Sequence, residues 1–418
     1  MKNTTALRAL LAAGAAMVAL HVTPALATNG YFSAAYSTQS KGMAGAGLTL
    51  AEGAMGLAQN PALGVAIGNS VEADLTLFMP FRSATFDNSF VASPGTYESD
   101  QNIFPILSMG VNYLVNDQTS LGLVMYGNGG MNTSYPTAVF NGNSVVTTGV
   151  DLAQAFLAFN VSRKIGSNLT LGVAPVLAMQ YFEAYGIQSF SALSTSAGDV
   201  SNNGYDFSYG GGVRVGAVWD ALPWLSLGAT YQSKMWMSEF SKYSGLFAEQ
   251  GDFDIPATAQ AGITLKPMKE VEVLLEWQRI FYGDVAAIAN TGILTNPSSQ
   301  LLGMDGGLGF GWQDMDVFRI GVQWHATPEL TLRTGYAHAT DFTTSKEILF
   351  NTLAPATIAN HISVGASYQM TPAWQLTFAY TYAFDNDLSG AIQQTFGGGT
   401  ETIQMYQHEL SFGVTYKF

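Results

Sequence analysis

The 418-residue chain has no cysteine, so no disulfide, thiolate nucleophile or cysteine-ligated zinc contributes to it. Charge is scarce and one-sided: lysine and arginine total 16 against 30 aspartates and glutamates, charged residues make up 11%, and the formal net charge is −14. Such a chain carries no basic footprint for nucleic acid. Long apolar runs are missing as well. After the first 27 residues no stretch reaches, without polar interruption, the roughly 20 residues that a membrane-spanning helix needs. Yet 48% of residues are hydrophobic and 12% aromatic, too apolar for an ordinary secreted protein. Alternating strands resolve the conflict, because a barrel strand shows lipid only every second side chain.

The first residues read as a secretory signal. Lys2 and Arg8 precede an apolar run from Ala9 to Leu20, and Pro24-Ala25-Leu26-Ala27 offers a small-x-small cleavage site. The run, about 12 residues, is too short to anchor the chain in a bilayer, so residues 1–27 are expected to be removed. Losing Lys2 and Arg8 takes the charge from −14 to −16.

From Val71 onward, segments with period-two alternation are separated by turn residues, the pattern of transmembrane barrel strands. In the last one, Tyr406, His408, Leu410, Phe412, Val414, Tyr416 and Phe418 oppose Gln407, Glu409, Ser411, Gly413, Thr415 and Lys417. The spacing predicts fourteen strands, near 71–86, 102–115, 118–130, 150–164, 169–182, 205–219, 224–236, 255–266, 270–282, 314–326, 330–340, 360–371, 374–384 and 405–418. Connections alternate between very short, such as Asn116-Asp117, and long, such as 183–204, 283–313 and 385–404. Short turns belong on the periplasmic side, which puts both barrel ends there. The expected fold is therefore all-β, an antiparallel fourteen-stranded transmembrane barrel over 69–418. Residues 28–68, rich in Gly, Ala and Ser, show no alternation and only hints of short helical turns. Either a disordered linker or a compact lumen plug fits that composition, and Tyr31, Phe32, Tyr36 and Leu57 are available for a plug to bury.

Several blocks carry a resemblance. Gly30-Tyr31, the Gly42-to-Gly47 stretch, Gln59-Asn60-Pro61-Ala62, Ile255 to Pro267 followed by Glu276-Trp277, Arg319 to Ala337, and Ser363 to Phe384 occur in this order. Together they resemble the long-chain fatty acid transporter family of outer-membrane proteins, which includes channels for aromatic and other hydrocarbons. The resemblance covers nearly the whole mature chain. It implies a hatch blocking the lumen, with Gly30, Tyr31, Phe32, Tyr36, Asn60, Pro61 and Ala62 in it. It also implies a kinked third strand, here at Gly127, Gly129 and Gly130, that opens a sideways passage into the membrane. Glycines within a strand commonly mark a bulge or bend.

A fatty acid needs an apolar trough and a cation or donor for its carboxylate. Parity places Arg214, Arg319 and Arg333 inward, as head-group contacts or as members of a structural lumen network with Glu272, Glu276, Glu409 and Lys417. Loops 183–204 and 283–313 carry Phe190, Leu193, Ile288, Ile293, Leu294, Leu301, Leu302 and Leu308, more than a solvated loop requires. The resemblance implies that two such loops catch ligand. An enzyme is not expected, since no Gly-x-Ser-x-Gly motif accompanies the five histidines. Neither a cofactor nor a metal is expected. The expected function is passive transport of long-chain fatty acids or similar molecules, with a hydrocarbon channel and a general porin for polar solutes as alternatives. The expected partners are a hydrophobic ligand, outer-membrane lipid and lipopolysaccharide, and the barrel-assembly machinery, with the chain a monomer.

Overall fold

In the computed structural model, residues 29–142 and 147–418 are described; the expected signal at 1–27 lies outside the described residues. The barrel strands are β1 (Ser70–Asp87), β2 (Phe104–Asn116), β3 (Thr119–Tyr135), β4 (Thr148–Ile165), β5 (Leu169–Tyr185), β6 (Asp206–Leu222), β7 (Leu225–Gln232), β8 (Thr258–Met268), β9 (Val271–Ile280), β10 (Met315–His325), β11 (Leu330–Ala339), β12 (Asn360–Gln369), β13 (Trp374–Ala391) and β14 (Thr400–Lys417). Sequential neighbours pair antiparallel, and β14 closes onto β1 from Ser70 opposite Lys417 to Asp87 opposite Thr400. Closure removes the free sheet edges except along the upper part of the β2–β3 seam, and pairing of the backbone is the condition for a strand protein to cross a membrane. Two short strands, Gly95–Glu98 and Trp236–Met237, extend the pairing of β1 and β6.

Alternation becomes inside and outside. On β14 Phe412, Val414 and Tyr416 are exposed on the outer face while Glu409, Ser411 and Thr415 are buried in the lumen. Trp219, Trp224, Trp324 and Trp374, each about half-exposed, ring the end that carries the short turns, an aromatic girdle at a membrane interface. Among the described residues no helix is long and apolar enough to cross a membrane.

Boundaries shift by a few residues, the strand expected at 224–236 ending at Gln232, and two regions differ most from the sequence expectation. The stretch 385–404, expected as a loop, is mostly a continuation of β13 and β14 as a hairpin, paired as far as Ala391 opposite Thr400. Above the lipid neither face must be apolar, so the alternation that marks a strand is lost. Strand β3 runs on to Tyr135 rather than stopping near its glycines, because β4 continues alongside it to Thr148.

Residues 29–68 fill the lumen with single helical turns at Thr38–Lys41, Ala54–Ala58, Pro61–Leu63 and Gly64–Ile67. Asn60 caps one turn, its Oδ1 accepting from Ala62 N at 3.0 Å, and Nδ2 donates to Leu48 O at 2.9 Å. Pro61 follows at the first helical position, where its missing N–H costs nothing. The wall is cut away to receive these turns. A Cβ at Gly172 would strike the Pro61 backbone, and one at Gly335 the Met43 backbone. Plug and wall are thus interlocked by close backbone approach.

Candidate translocation site

The plug body is held by charge. Glu276 Oε1 accepts from Gly47 N and Leu48 N, both at 2.7 Å. Glu72 accepts from Met55 N at 2.7 Å and Gln39 Nε2 at 2.7 Å, and Asp74 from Thr38 N at 2.9 Å. Lys41 pairs with Glu409 at 2.8 Å, and Arg333 bonds to Glu52, to Gln323 at 2.6 Å and to Ser367 at 2.6 Å. Hydrogen bonds to charged groups contribute about 1.5–3 kcal/mol each, so together they fasten the body firmly.

The segment before it is held differently. Asn29 to Phe32 forms a tight turn in which Gly30 has φ 63°, a left-handed conformation that suits glycine. Tyr282 Oη donates to Asn29 O at 2.6 Å and accepts from Tyr31 N at 3.1 Å. Ser33 N donates to Asn128 O at 2.8 Å, and Gly130 N to Tyr31 O at 2.9 Å. Burial holds the hydroxyls of Tyr31 and Tyr282 well above their ordinary pKa, so these contacts are neutral.

Residues 31–33 can pair with β3 because β3 has lost a partner there. The β2–β3 ladder runs from Asn116 opposite Thr119 to Met109 opposite Met125. Beyond that point, among the described residues, β2 from Phe104 to Ser108 pairs only with β1, and β3 barrel pairing continues only with β4. The register of β3 against β4 shifts between Gly127 and Gly129, which leaves Asn128 as the extra residue of a bulge. A side chain at Gly129 would strike the Tyr31 carbonyl. Above the gap, Asp100 N bonds to Ser134 O at 2.9 Å and Asn132 Nδ2 to Gln101 Oε1 at 3.1 Å.

Asn128 turns into the lumen and starts a chain of amides. Tyr36 Oη donates to Asn128 Oδ1 at 3.1 Å, Asn128 Nδ2 to Gln154 Oε1 at 3.0 Å, Gln154 Nε2 to Gln180 Oε1 at 3.0 Å, and Gln180 Nε2 to Phe253 O at 2.8 Å. This row of amides is therefore polar, uncharged and satisfied within itself. Above it the lumen is roofed with rings. Tyr31 lies 5.4 Å from Tyr282 and 6.0 Å from Trp312, centroid to centroid, and Trp312 lies 4.8 Å from Phe342. Loops 186–205 and 281–314 meet at a bridge between Ser194 and Leu302. Phe190, Ile288, Leu294, Leu302 and Leu308 are buried, and Leu193, Ile293 and Leu301 half-buried.

The three arginines have separate surroundings. Arg333 is engaged with the plug body. Arg319 bonds to Gln278 behind Gly45 of the plug. Arg214 bonds to Gln232 and lies over the rings of Tyr36 and Tyr126 at 5.7 and 5.6 Å, next to the bulge. Asn60, Pro61 and Ala62 sit low in the plug, apart from the gap, whereas Gly30, Tyr31, Phe32 and Tyr36 adjoin it. Sequence reasoning missed Asn128, Gln154, Gln180 and Tyr282. Only Asn128 had a signal, its place among three glycines.

A closed barrel with a lipid-facing belt, a charged plug clamp and a wall parted beside the plug defines a transport protein of the outer membrane. The sequence model of the outer membrane protein transport protein family (OMPP1/FadL/TodX) matches residues 19–418, and the chain belongs to that family, one of transporters rather than enzymes. Solved structures share the fold. The Pseudomonas putida toluene transporter TodX matches with TM-score 0.72 and 17% identity over 92% of this chain and 99% of its own. A Pseudomonas aeruginosa FadL homologue matches with TM-score 0.70 and 16% identity over 93% and 100%. The Ralstonia pickettii toluene transporter TbuX gives 0.63 and 16% over 92% and 99%. No curated protein matches the sequence.

Proposed function

We propose that the chain carries long-chain fatty acids, or amphipathic molecules like them, passively across the outer membrane. Ligand collects on the apolar loops 186–205 and 281–314, enters the lumen, displaces the Tyr31 segment, and leaves sideways between β2 and β3. The observation that carries this reading is the parted β2–β3 ladder, filled by residues 31–33 through a few neutral hydrogen bonds. A gradient suffices to drive such transfer. The barrel works as a monomer among outer-membrane lipid and lipopolysaccharide, after insertion by the barrel-assembly machinery.

Neutral aromatic or aliphatic hydrocarbons are the second reading. The roof of rings and the capture of Arg333 by Glu52 favour it, as do the toluene transporters among the similar structures. A general porin would need an open lumen, which the interlocked plug denies. The test is uptake of labelled oleate, against toluene and a small sugar, in cells lacking their own transporter. Oleate entry supports the proposal, toluene entry alone supports the second reading, and sugar entry alone overturns both.

A further inference from the structure

Two buried cations near the gap, Arg214 and Arg82, have no carboxylate partner, and Arg82 is the less satisfied of the two. Arg82 lies on the inward face of β1, with 5% of its surface exposed. Its Nη2 donates to Ser99 Oγ at 2.7 Å and to Gln101 O at 2.5 Å. Nε and Nη1 are buried without a hydrogen-bond partner. Among the described residues no carboxylate lies within ion-pair distance of it; Asp100, on the loop that caps the gap, is exposed. Arg333 has a partner on each nitrogen, and Arg214 and Arg319 each leave one bare, whereas Arg82 leaves two of its three nitrogens unsatisfied.

The space beside Arg82 explains what the free nitrogens are for. Arg82 lines a small cavity of about 30 Å³ together with Gly30 of the plug, Pro80, Met131 and Asn132 of β3, Ala354 and Met405. The guanidinium also lies 5.8 Å from the ring of Phe104, the first residue of the stretch of β2 that is laddered to β1 and not to β3. The cavity is therefore apolar, contiguous with the Tyr31 segment on one side and the parted strands on the other, with one desolvated cation in its wall. Burying an unpaired charge is costly, and an arriving carboxylate would supply the bare Nη1 with a charge-assisted hydrogen bond and the guanidinium with a counterion.

We propose that Arg82 is the head-group station of the lateral exit: it receives the carboxylate of a hydrophobic acid while the tail lies in the gap, and so makes organic acids the preferred cargo. This rests on the transport reading above and chooses among its cargoes. The experiment compares initial uptake of labelled oleate and labelled oleyl alcohol in cells carrying wild type, Arg82→Gln or Arg82→Lys. The expected result is a loss of about tenfold or more in oleate uptake for Arg82→Gln, with oleyl alcohol changed less than about twofold and Arg82→Lys intermediate. Equal loss of both cargoes, or loss of neither, overturns the assignment. Wild type carrying the alcohol but not the acid overturns it while leaving transport intact; wild type carrying neither overturns both. Purified wild type in neutral detergent gives a readout independent of the variants' folding, and is expected to bind oleate about tenfold more tightly than oleyl alcohol. Equal affinity contradicts the proposal. Native mass spectrometry separates the remaining source of an anion: a phospholipid retained by wild type and lost from Arg82→Gln, with oleate uptake unchanged, would assign the site to lipid phosphate and sink it.

Discussion

The plug has two parts that meet the same wall in different ways. Residues 38–63 rest in pockets cut by wall glycines and are clamped by Glu72, Asp74, Glu276, Glu409 and Arg333. Residues 29–36 touch the wall through neutral bonds to Tyr282, Asn128 and Gly130, each contributing about 1 kcal/mol. The difference teaches where a ligand can pass. A weakly bound hydrophobic molecule can exchange for a few neutral hydrogen bonds at the gap, but not for a set of charged ones below it. Obstruction and exit are therefore separate devices in one short stretch of chain.

The largest effect should come from removing the gap while leaving the clamp. Deleting Asn128 removes the extra residue of the bulge and lets β3 run straight alongside β2. Oleate or toluene uptake is expected to fall about tenfold or more, a barrier change of about 1.4 kcal/mol, with unchanged heat-modifiable gel migration. Uptake that persists would break the distinction drawn here.

The reverse change attacks the clamp. Glu276→Ala strips the acceptor from Gly47 N and Leu48 N, and two buried unsatisfied donors cost about 2–6 kcal/mol of docking. Conductance in planar bilayers and entry of large antibiotics should rise, with hydrophobic uptake retained. A tight, non-conducting variant would show that the lower clamp does not hold the plug.

A milder loosening concerns the upper segment. Tyr282→Phe removes both bonds to Asn29 and Tyr31, about 1–2 kcal/mol in total. Hydrogen exchange at Tyr31 and Ser33 should quicken roughly tenfold, while exchange at Gly47, Leu48 and Met55 stays slow.

The smallest effect lies outside the plug and serves as a contrast. In loop 233–257 Asp252 is raised from 3.8 to about 6, by burial first and then by Asp254 and Glu249, with Lys234 opposing. Because its folded pKa is raised, its stabilising contribution is full below 3.8 and is lost as pH rises through about 6. Exchange in this loop should be slower at pH 4.5 than at pH 7.5 once corrected for intrinsic rates. Asp252→Asn should abolish that difference without altering the clamp, whose response to Glu276→Ala is read separately.

The barrel was legible because lipid enforces alternation, and β14 shows it from Tyr406 to Phe418. The same physics hid the outer hairpin of β13 and β14, which stands clear of lipid and has no apolar face to advertise. The plug announced itself as a break in rhythm at 28–68, and the bulge as a cluster of glycines. The residue that forms the bulge, Asn128, was not singled out, since pairing register is a property of three strands together. Arg82 could be read as inward by parity, yet nothing local to β1 says that its neighbours leave two nitrogens bare. Likewise the divided roles of Arg214, Arg319 and Arg333 depend on plug residues distant in sequence.

The most direct measurement is photo-crosslinking with a diazirine-bearing palmitate in intact cells, adducts being mapped by mass spectrometry. Adducts concentrated on Phe104 to Ser108 and on Gly129 to Asn132, and lost when Asn128 is deleted, are the expected result. Adducts running down the clamped body, at Leu57 and Leu63, with the gap residues unlabelled, would contradict the lateral route.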